Sequence, residues 1–312
     1  MSHSNTSFTL TLDDVEVQAY PGETLWQVAK RAGETIPHLC FKDAPGYRAD
    51  GNCRACMVEV EGERVLAASC IREAAPGMVV RSAGSSRVQA ARKGVLELLL
   101  ADQPERENSP DRSSRLWDTA DQLGIDAAAV RQRIPAHSER NEPTVHHVKP
   151  RSDSLAHARG HDASHSAMNV NLDACITCGL CERACREVQG NDVIGLAHRG
   201  AESKVVFDFD DPMGDSTCVA CGECVQACPT GALMPATLMD AQGRGDSATA
   251  DRKVDSVCPY CGVGCQLTYH VKDEQRGRIL FVEGKDGPSN QGRLCVRASP
   301  RDWTRTSIRP IR

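Results

Sequence analysis

The chain has 312 residues, a net charge of −5 and 16 cysteines, against only 5 Phe, 4 Tyr and 3 Trp. This length predicts two or three domains, and the mild charge argues neither for nucleic acid nor for a membrane surface as a partner. No stretch approaches the roughly 18 apolar residues of a membrane span, and the first residues lack an apolar signal core. We therefore expect a cytoplasmic protein with reduced cysteines, in which metal holds small domains together.

The first segment alternates apolar and polar residues as a β-hairpin does. The alternation predicts strands over 8–12 and 15–20, joined by a turn at Asp13 and Asp14. Thr24 is placed to cap a helix that follows the hairpin. Further strands are predicted at 57–61, 64–68 and 78–81. The pattern indicates a small α+β domain over residues 1–84.

Four cysteines of this domain have the spacing C-x12-C-x2-C-x13-C, and they are Cys40, Cys53, Cys56 and Cys70. Four thiolates suffice for a [2Fe–2S] cluster, with two on each iron. Gly46 and Gly51 suit a loop that must pass close to sulfides. Buried thiols or a zinc site are the alternatives, because Cys53-Arg-Ala-Cys56 alone is a weak signal. The spacing resembles the β-grasp [2Fe–2S] domain that opens the large iron–sulfur subunit of respiratory complex I and of related soluble formate dehydrogenases and hydrogenases.

A helix is predicted over residues 87–103, after a serine cap at Ser85 or Ser86. In the complex I-like proteins that this region resembles, the helix leads to a further [4Fe–4S] site held by one His and three Cys. Here Gln103-Pro104 stands where those proteins have His-Pro, and no cysteine follows before Cys175. We therefore expect that site to be lost, which argues against a complex I subunit proper.

The rest of residues 85–166 is predicted to be a polar linker, with one short helix around Trp117. His157, His161 and His165 recur every four residues and could bind a metal from one helix face. Gly160 and the polar surroundings favour a solvated linker instead.

The central segment contains two copies of C-x2-C-x2-C-x3-C, of which the second is followed by proline. This spacing lets one short loop wrap three corners of a [4Fe–4S] cubane, while the fourth cysteine of each run ligates the other cluster. The sequence therefore predicts two crossed ligand sets, Cys175, Cys178, Cys181 with Cys228, and Cys218, Cys221, Cys224 with Cys185. Two structural zinc sites are the alternative, but zinc gives no reason for the third cysteine of each run or for the fourth.

The bridge between the two blocks, residues 186–217, is much longer than in a minimal bacterial ferredoxin. Strands are predicted within it at 191–196 and 204–209. The bridge closely resembles that of the double-cubane domain in molybdenum- or tungsten-dependent NAD-linked formate dehydrogenase alpha subunits. The resemblance implies a double [4Fe–4S] ferredoxin domain over 167–240, followed by a linker over 241–252.

The last four cysteines form a C-x2-C-x3-C-x29-C set, and they are Cys258, Cys261, Cys265 and Cys295. Strands predicted at 266–271 and 278–283 surround this fourth four-thiolate set. It resembles the N-terminal [4Fe–4S] domain of molybdopterin-guanine-dinucleotide oxidoreductases, in the formate dehydrogenase and nitrate reductase branch. That family has a Lys between cubane and pterin, and the resemblance implies Arg297 for this contact. The domain is predicted over 253–312 and is truncated relative to the family.

Together the four sets predict a multidomain α+β protein with one [2Fe–2S] and three [4Fe–4S] clusters, and no residue can be assigned as catalytic. The resemblance implies an electron-transfer subunit or fragment of a cytoplasmic NAD-linked formate dehydrogenase. It would relay electrons from a Mo/W-bis(molybdopterin guanine dinucleotide) module, on a partner or a missing C-terminal region, toward a flavin/NAD-binding diaphorase subunit. The alternatives are an iron–sulfur subunit of a complex I-like NADH dehydrogenase or NAD-linked hydrogenase, and a non-enzymatic metal-binding or assembly module.

Overall fold

The structure is a computed structural model that describes residues 7–134, 161–200, 203–239, 245, 250–273 and 278–295. The chain divides into two units. Unit 1 consists of Met1–Asp102 with Arg115–Glu142, and unit 2 consists of Gln103–Ser114 with Pro143–Arg312. Among the helices within the described ranges, none has the length and apolar character that a membrane crossing requires.

A five-stranded sheet forms the centre of unit 1. Its strands are β1 (Phe8–Leu12), β2 (Val15–Ala19), β3 (Met57–Val60), β4 (Ala67–Ala68) and β5 (Val79–Arg81). They lie in the order β2-β1-β5-β3-β4. The β1–β5 pair is parallel, whereas the other pairs are antiparallel. Alternate strand residues such as Leu10, Val58 and Val80 point into one core, as the period-two pattern predicts.

Helix α1 (Leu25–Arg31) packs its apolar face into the same core. Thr24 begins it with a capping box, in which the Thr24 hydroxyl accepts the N–H of Gln27 and the Gln27 side chain accepts the N–H of Thr24. The buried face of the helix includes Leu25, Trp26 and Val28. The predicted cap at Thr24 is therefore confirmed.

Within its described residues, unit 1 has three more helices, namely α2 (Ser86–Ala101), α3 (Arg115–Gln122) and α4 (Ala127–Arg133). Ser85 caps α2, because its hydroxyl accepts the N–H of Val88. Helix α2 packs against both β3 and α4. Helix α3 buries Trp117, around which a short helix was predicted.

Helix α4 lies in a region predicted to be a polar linker. The Asp126 carboxylate caps it by accepting the N–H groups of Ala128 and Ala129. Val130 is buried, and Arg133 pairs with Glu97 of α2 at 2.6 Å. One buried valine among small and charged residues gives too weak a periodic pattern to be recognised in the sequence.

The described residues of unit 2 form three small sheets. The first has the order β10-β7-β6, the second is the β8–β9 hairpin, and the third is the antiparallel sheet β11-β12-β13. The strands are β6 (His161–Asp162), β7 (Met168–Asn171), β8 (Ile194–Ala197), β9 (Lys204–Phe207), β10 (Leu233–Pro235), β11 (Arg252–Val257), β12 (Gln266–Lys272) and β13 (Arg278–Gly284). Two short helices, α5 (Leu180–Arg183) and α6 (Glu223–Ala227), lie within the two cysteine blocks. A π-helical turn spans Ala184–Val188, and 3-10 turns span Arg106–Asn108, Leu172–Ala174 and Ala236–Leu238.

One of the three regularly spaced histidines lies in the first sheet of unit 2, and a second lies in the loop between its strands β6 and β7. His161 lies in β6 with its Nε2 atom 2.7 Å from the side-chain amide of Asn169. His165 is buried, and its Nδ1 atom accepts the N–H groups of Ala167 and Met168 at 3.2 Å. His157 lies outside the described residues. The end of the predicted linker therefore contributes a strand to the sheet.

The Asp13 carboxylate fixes the loop between β5 and α2. It accepts the backbone N–H groups of Ser82 at 2.7 Å, Ala83 at 3.1 Å and Gly84 at 3.2 Å. We predict that Asp13→Asn lowers the free energy of unfolding of unit 1 by about 1–2 kcal/mol, because a neutral amide is a poorer acceptor for three donors. Chemical denaturation followed by circular dichroism measures the change.

Asp14→Asn is the matched control. Asp14 belongs to the same turn and also has a positive φ (65°), but it is exposed. The control should shift the free energy of unfolding by less than about 0.5 kcal/mol. Equal losses in the two variants would contradict the role assigned to Asp13.

Candidate metal centres

The four cysteines of unit 1 come together around the loop that follows α1. Cys40, Cys56 and Cys70 are buried, and Cys53 is partly buried. The sulfur atoms of Cys40 and Cys53 each accept the backbone N–H of the other residue, at 3.3 and 3.4 Å. Gly46, Gly51 and Arg54 have positive φ values of 84°, 65° and 57°, which allow tight turns in the loop between Cys40 and Cys56.

The thiols of this set are close enough to form hydrogen bonds with one another. Bonds from Cys53 and Cys70 lower the pKa of Cys40 to about 2, and a bond from Cys70 lowers the pKa of Cys56 to about 6. The pKa values of Cys53 and Cys70 are raised, since their thiols donate to Cys40. Iron binding requires thiolates, so it would displace the protons that these thiols share.

The two central cysteine blocks share one backbone conformation. The residue before the second cysteine is left-handed in both blocks, with φ 49° at Thr177 and 57° at Ala220. The glycine after the second cysteine is left-handed as well, with φ 74° at Gly179 and 78° at Gly222. A short helix then begins at the next residue, α5 in the first block and α6 in the second. The repeat seen in the sequence is therefore also a repeat in structure.

Backbone N–H groups point at several sulfur atoms of these blocks. Within each block, the left-handed residue donates its N–H to the first cysteine, at 3.3 Å for Cys175 and 3.4 Å for Cys218. The N–H of Val193 donates to the sulfur of Cys185 at 3.3 Å. Such donors stabilise negative charge on sulfur, as a thiolate-ligated cluster requires.

Cys228 lies with the first block, although it follows the second in sequence. Cys175, Cys178, Cys181 and Cys228 line one small cavity, which Leu172, Val205 and Leu233 help to close. Burial, and then the neighbouring sulfur atoms of this cavity, raise the pKa of Cys181 well above that of a free thiol.

Cys185 lies with the second block in the same crossed manner. Burial raises the pKa of Cys224, and the charges of Cys221, Cys218 and Cys185 raise it further. The pKa of Cys218 is also raised, mainly by burial and with contributions from Cys221 and Cys185. The structure thus brings together the members of both predicted crossed sets.

The last set lies at one end of the β11–β13 sheet and is the least enclosed. Cys258 is buried, Cys265 is partly buried, and Cys261 and Cys295 are exposed. Cys258 packs with Leu267, Val282 and Leu294, and its N–H donates to the carbonyl of Cys265 at 2.8 Å. Burial raises the pKa of Cys265, followed by the nearby charges of the other three cysteines. Arg297, the predicted pterin contact, lies outside the described residues.

Asn290 organises the loop that leads to Cys295, and sequence reasoning did not identify it. Its side-chain oxygen accepts the N–H of Gln266 at 2.9 Å, and its amide nitrogen donates to the carbonyls of Gln266 and Arg293, both at 2.9 Å. The only signal in the sequence is its place in a Gly-Pro-Ser-Asn stretch, which is typical of turns.

Gln226 joins the second cysteine block to the last set, and the sequence did not reveal this role either. Its amide nitrogen donates to the carbonyl of Leu294 at 2.8 Å, and its amide oxygen accepts the N–H of Leu294 at 3.0 Å. Gln226 is two residues after Cys224, and Leu294 immediately precedes Cys295. One side chain therefore fastens the helix that carries Cys224 to the backbone beside Cys295.

A single ion and an iron–sulfur cluster make different demands on four cysteines. A zinc ion needs four ligands that converge on one point at about 2.3 Å, whereas in a cubane each sulfur binds a different iron. Within the ranges that the structure describes, no group of three or more His, Cys, Asp or Glu side chains is arranged to hold a single ion. Enclosed sulfur atoms with N–H donors suit negatively charged thiolates that ligate a metal centre.

Three families of iron–sulfur domains match the chain in the predicted order. A "2Fe-2S iron-sulfur cluster binding domain" matches residues 5–85, a "4Fe-4S dicluster domain" matches 174–232, and a "Molybdopterin oxidoreductase Fe4S4 domain" matches 251–299. The chain is therefore a multidomain iron–sulfur protein of the oxidoreductase type, and the predicted fold class is confirmed.

The relatives of the chain include subunits of several oxidoreductases. A subunit of an NADH-quinone oxidoreductase of Rhizobium meliloti (strain 1021) is 31% identical over 293 residues, which cover 92% of this chain and 30% of that protein. A Staphylococcus haemolyticus (strain JCSC1435) protein whose name is that of a formate dehydrogenase is 24% identical, with coverages of 92% and 30%. A chain of an NAD+-reducing [NiFe]-hydrogenase crystal structure is 29% identical, with a TM-score of 0.59 and coverages of 79% and 92%.

These findings support a place among the iron–sulfur proteins related to NADH dehydrogenase, and they do not single out formate dehydrogenase. The chain spans about 30% of the length of the two curated relatives described above.

Alanine replacements can test the crossed sets through non-additive loss of iron. We predict that Cys228→Ala and Cys175→Ala each remove one [4Fe–4S] cluster, because alanine cannot ligate iron. The double variant Cys228→Ala with Cys175→Ala should lose no more iron than either single variant. Cys228→Ala combined with Cys218→Ala should lose two clusters. Iron analysis and low-temperature EPR measure the outcome.

The reverse pattern would contradict crossed ligation. If Cys228→Ala and Cys218→Ala together cost one cluster while Cys228→Ala and Cys175→Ala cost two, each run binds its own cluster. Cys185→Ala is the matched control, since it should be non-additive with Cys218→Ala and additive with Cys175→Ala.

Proposed function

We propose that the chain is an iron–sulfur electron relay of an NAD-linked oxidoreductase complex. The observation that carries this proposal is the assembly of 16 cysteines into four sets of four, each gathered within one domain. The sets would hold one [2Fe–2S] cluster at Cys40, Cys53, Cys56 and Cys70, and three [4Fe–4S] clusters at the two crossed sets and at Cys258, Cys261, Cys265 and Cys295. No cysteine is left over to serve as a nucleophile.

The residues around the sets are suited to holding redox centres in place. When bound, the clusters supply one-electron transfer, and the protein sets their order, spacing and potentials. The N–H donors to Cys175, Cys185 and Cys218 would stabilise negative charge on those sulfur atoms. Gln226 would keep the last centre beside the double-cubane domain. These contacts support transfer between the crossed pair and the Cys258–Cys295 centre.

A flavin/NAD-binding subunit is the partner proposed for one end of the relay. The names of two relatives support it, because one is an NADH-quinone oxidoreductase subunit and the other belongs to an NAD+-reducing hydrogenase. In chain order the [2Fe–2S] domain comes first, and we propose it as the domain nearest that partner or as a side branch of the relay.

We further propose that formate is the electron source of the relay. It would be oxidised to CO2 at a Mo/W-bis(molybdopterin guanine dinucleotide) site on a partner or a further part of the protein. The match to the molybdopterin oxidoreductase domain and the formate dehydrogenase-named relative support this source. The sequence from Cys258 to Cys265 and the lost His/Cys3 site support it as well.

An iron–sulfur subunit of a complex I-like NADH dehydrogenase or NAD-linked hydrogenase is the second candidate. The relative with 31% identity favours it, as does the hydrogenase structure that aligns over 92% of its own length. The two candidates share the relay and differ in what delivers or accepts electrons at its far end.

Iron content and EPR test the relay itself. We expect about 14 iron atoms per chain after anaerobic purification. Reduction with dithionite should give a rhombic [2Fe–2S] signal together with signals of interacting cubanes, because the crossed sets place two clusters in one domain. A colourless protein that contains zinc in place of iron would overturn the proposal.

The choice of substrate can be made on the complex purified from its native host. Formate that reduces the same EPR signals, in a complex containing molybdenum or tungsten, would support the formate version. Reduction by NADH or H2 but not formate, with neither metal present, would support the second candidate. Cys258→Ala is the control, because formate should then no longer reduce the [2Fe–2S] centre, whereas dithionite should still give its EPR signal.

A further inference from the structure

Arg92 is a buried cation beside the [2Fe–2S] domain's cysteines. It lies in α2 and is only 5% exposed. Its Nε atom donates to the carbonyl of Met57 at 2.9 Å, and its Nη2 atom donates to the hydroxyl of Ser82 at 2.9 Å. Both acceptors are neutral, so the hydrogen bonds orient the guanidinium without neutralising its charge.

Among the described residues, no carboxylate forms an ion pair with Arg92. Asp13 attracts it at longer range, but the oxygens of that carboxylate accept three backbone N–H groups. By contrast Arg87, five residues earlier in the same helix, is half exposed and pairs with Glu59 at 3.3 Å. A buried charge without a partner is costly, so a nearby negative group is needed to offset it.

The cysteine set supplies that negative charge. Met57, whose carbonyl holds Arg92, directly follows Cys56 in the chain. Burial lowers the pKa of Arg92, and the charge of Cys56 opposes this change. A [2Fe–2S] cluster with four thiolates is a dianion when oxidised and gains one more negative charge when reduced. A fixed cation in a low-dielectric site therefore stabilises the reduced form more than the oxidised form.

We propose that Arg92 sets the reduction potential of the centre at Cys40, Cys53, Cys56 and Cys70, by placing an unpaired buried positive charge beside it. Arg92 acts on the centre through its charge and does not ligate iron. This role rests on the proposed [2Fe–2S] assignment. Without it the potential of the centre falls, and the centre becomes a poorer electron acceptor.

A purely structural role makes a different prediction. Arg92 links α2 to β3 and to the Ser82 loop, so it could serve only to fasten these elements together. In that case its loss would lower the melting temperature and leave the potential of a bound cluster unchanged. Ser82→Ala separates the two roles, because it removes one of the linking hydrogen bonds and keeps the charge.

The test is an anaerobic redox titration of the full chain, with the [2Fe–2S] EPR signal as the readout. Arg92→Gln keeps donor groups but removes the charge, and it should lower the equilibrium constant for reduction about tenfold, which is about 59 mV for a one-electron couple. Arg92→Lys should retain most of the wild-type potential. Ser82→Ala and Arg87→Gln should leave it unchanged.

Three results would overturn the proposal. One is an unshifted potential in Arg92→Gln, and another is an equal shift in Arg92→Lys or Ser82→Ala. The third is an Arg92→Gln variant that binds no cluster while Ser82→Ala binds it, which would assign Arg92 to assembly instead of tuning. Absence of the [2Fe–2S] signal in the wild-type chain would instead contradict the proposed function.

Discussion

The structure depends on placing sulfur atoms where small domains ordinarily bury hydrocarbon. Cys56 and Cys70 belong to the apolar core of unit 1, and Cys258 belongs to the core of the β11–β13 sheet. A thiol buries far less apolar area than Leu or Phe, and cores of this size are marginal even when they are fully apolar. Metal binding to deprotonated cysteines then contributes folding free energy directly, which explains how domains with so few aromatic residues can hold together.

The same dependence explains the backbone of the double-cubane domain. Thr177 and Ala220 are left-handed, a conformation that costs L-residues about 1–2 kcal/mol each. This left-handed conformation turns an N–H toward the first cysteine of each block. A backbone arranged this way stabilises a charged, ligated sulfur much more than it stabilises a neutral thiol.

Local signals in the sequence predicted much of the fold. Thr24 could be predicted as a cap because its partner Gln27 lies three residues away. The cysteine blocks could be predicted because cluster geometry fixes their spacing. Such features depend on near neighbours in the chain, or on a ligand whose chemistry is known.

The residues that were missed depend on distant backbone. Gln226 resembles any polar residue of a short helix until Leu294 is seen opposite it. The burial of Arg92 follows from how α2 lies on β3, which the sequence of the helix does not specify. Asn290 likewise draws its importance from a strand 24 residues earlier in the chain.

The crossed placement of Cys228 has a consequence for synthesis on the ribosome. The cavity that contains Cys175, Cys178 and Cys181 is completed by Cys228 and closed in part by Leu233. A nascent chain that has emerged only as far as the first block cannot form this cavity. Unit 1's four cysteines all emerge well before that point, so the first domain can mature alone. The double-cubane domain must wait, with the cysteines of its first block lacking their fourth partner, until both blocks have left the exit tunnel.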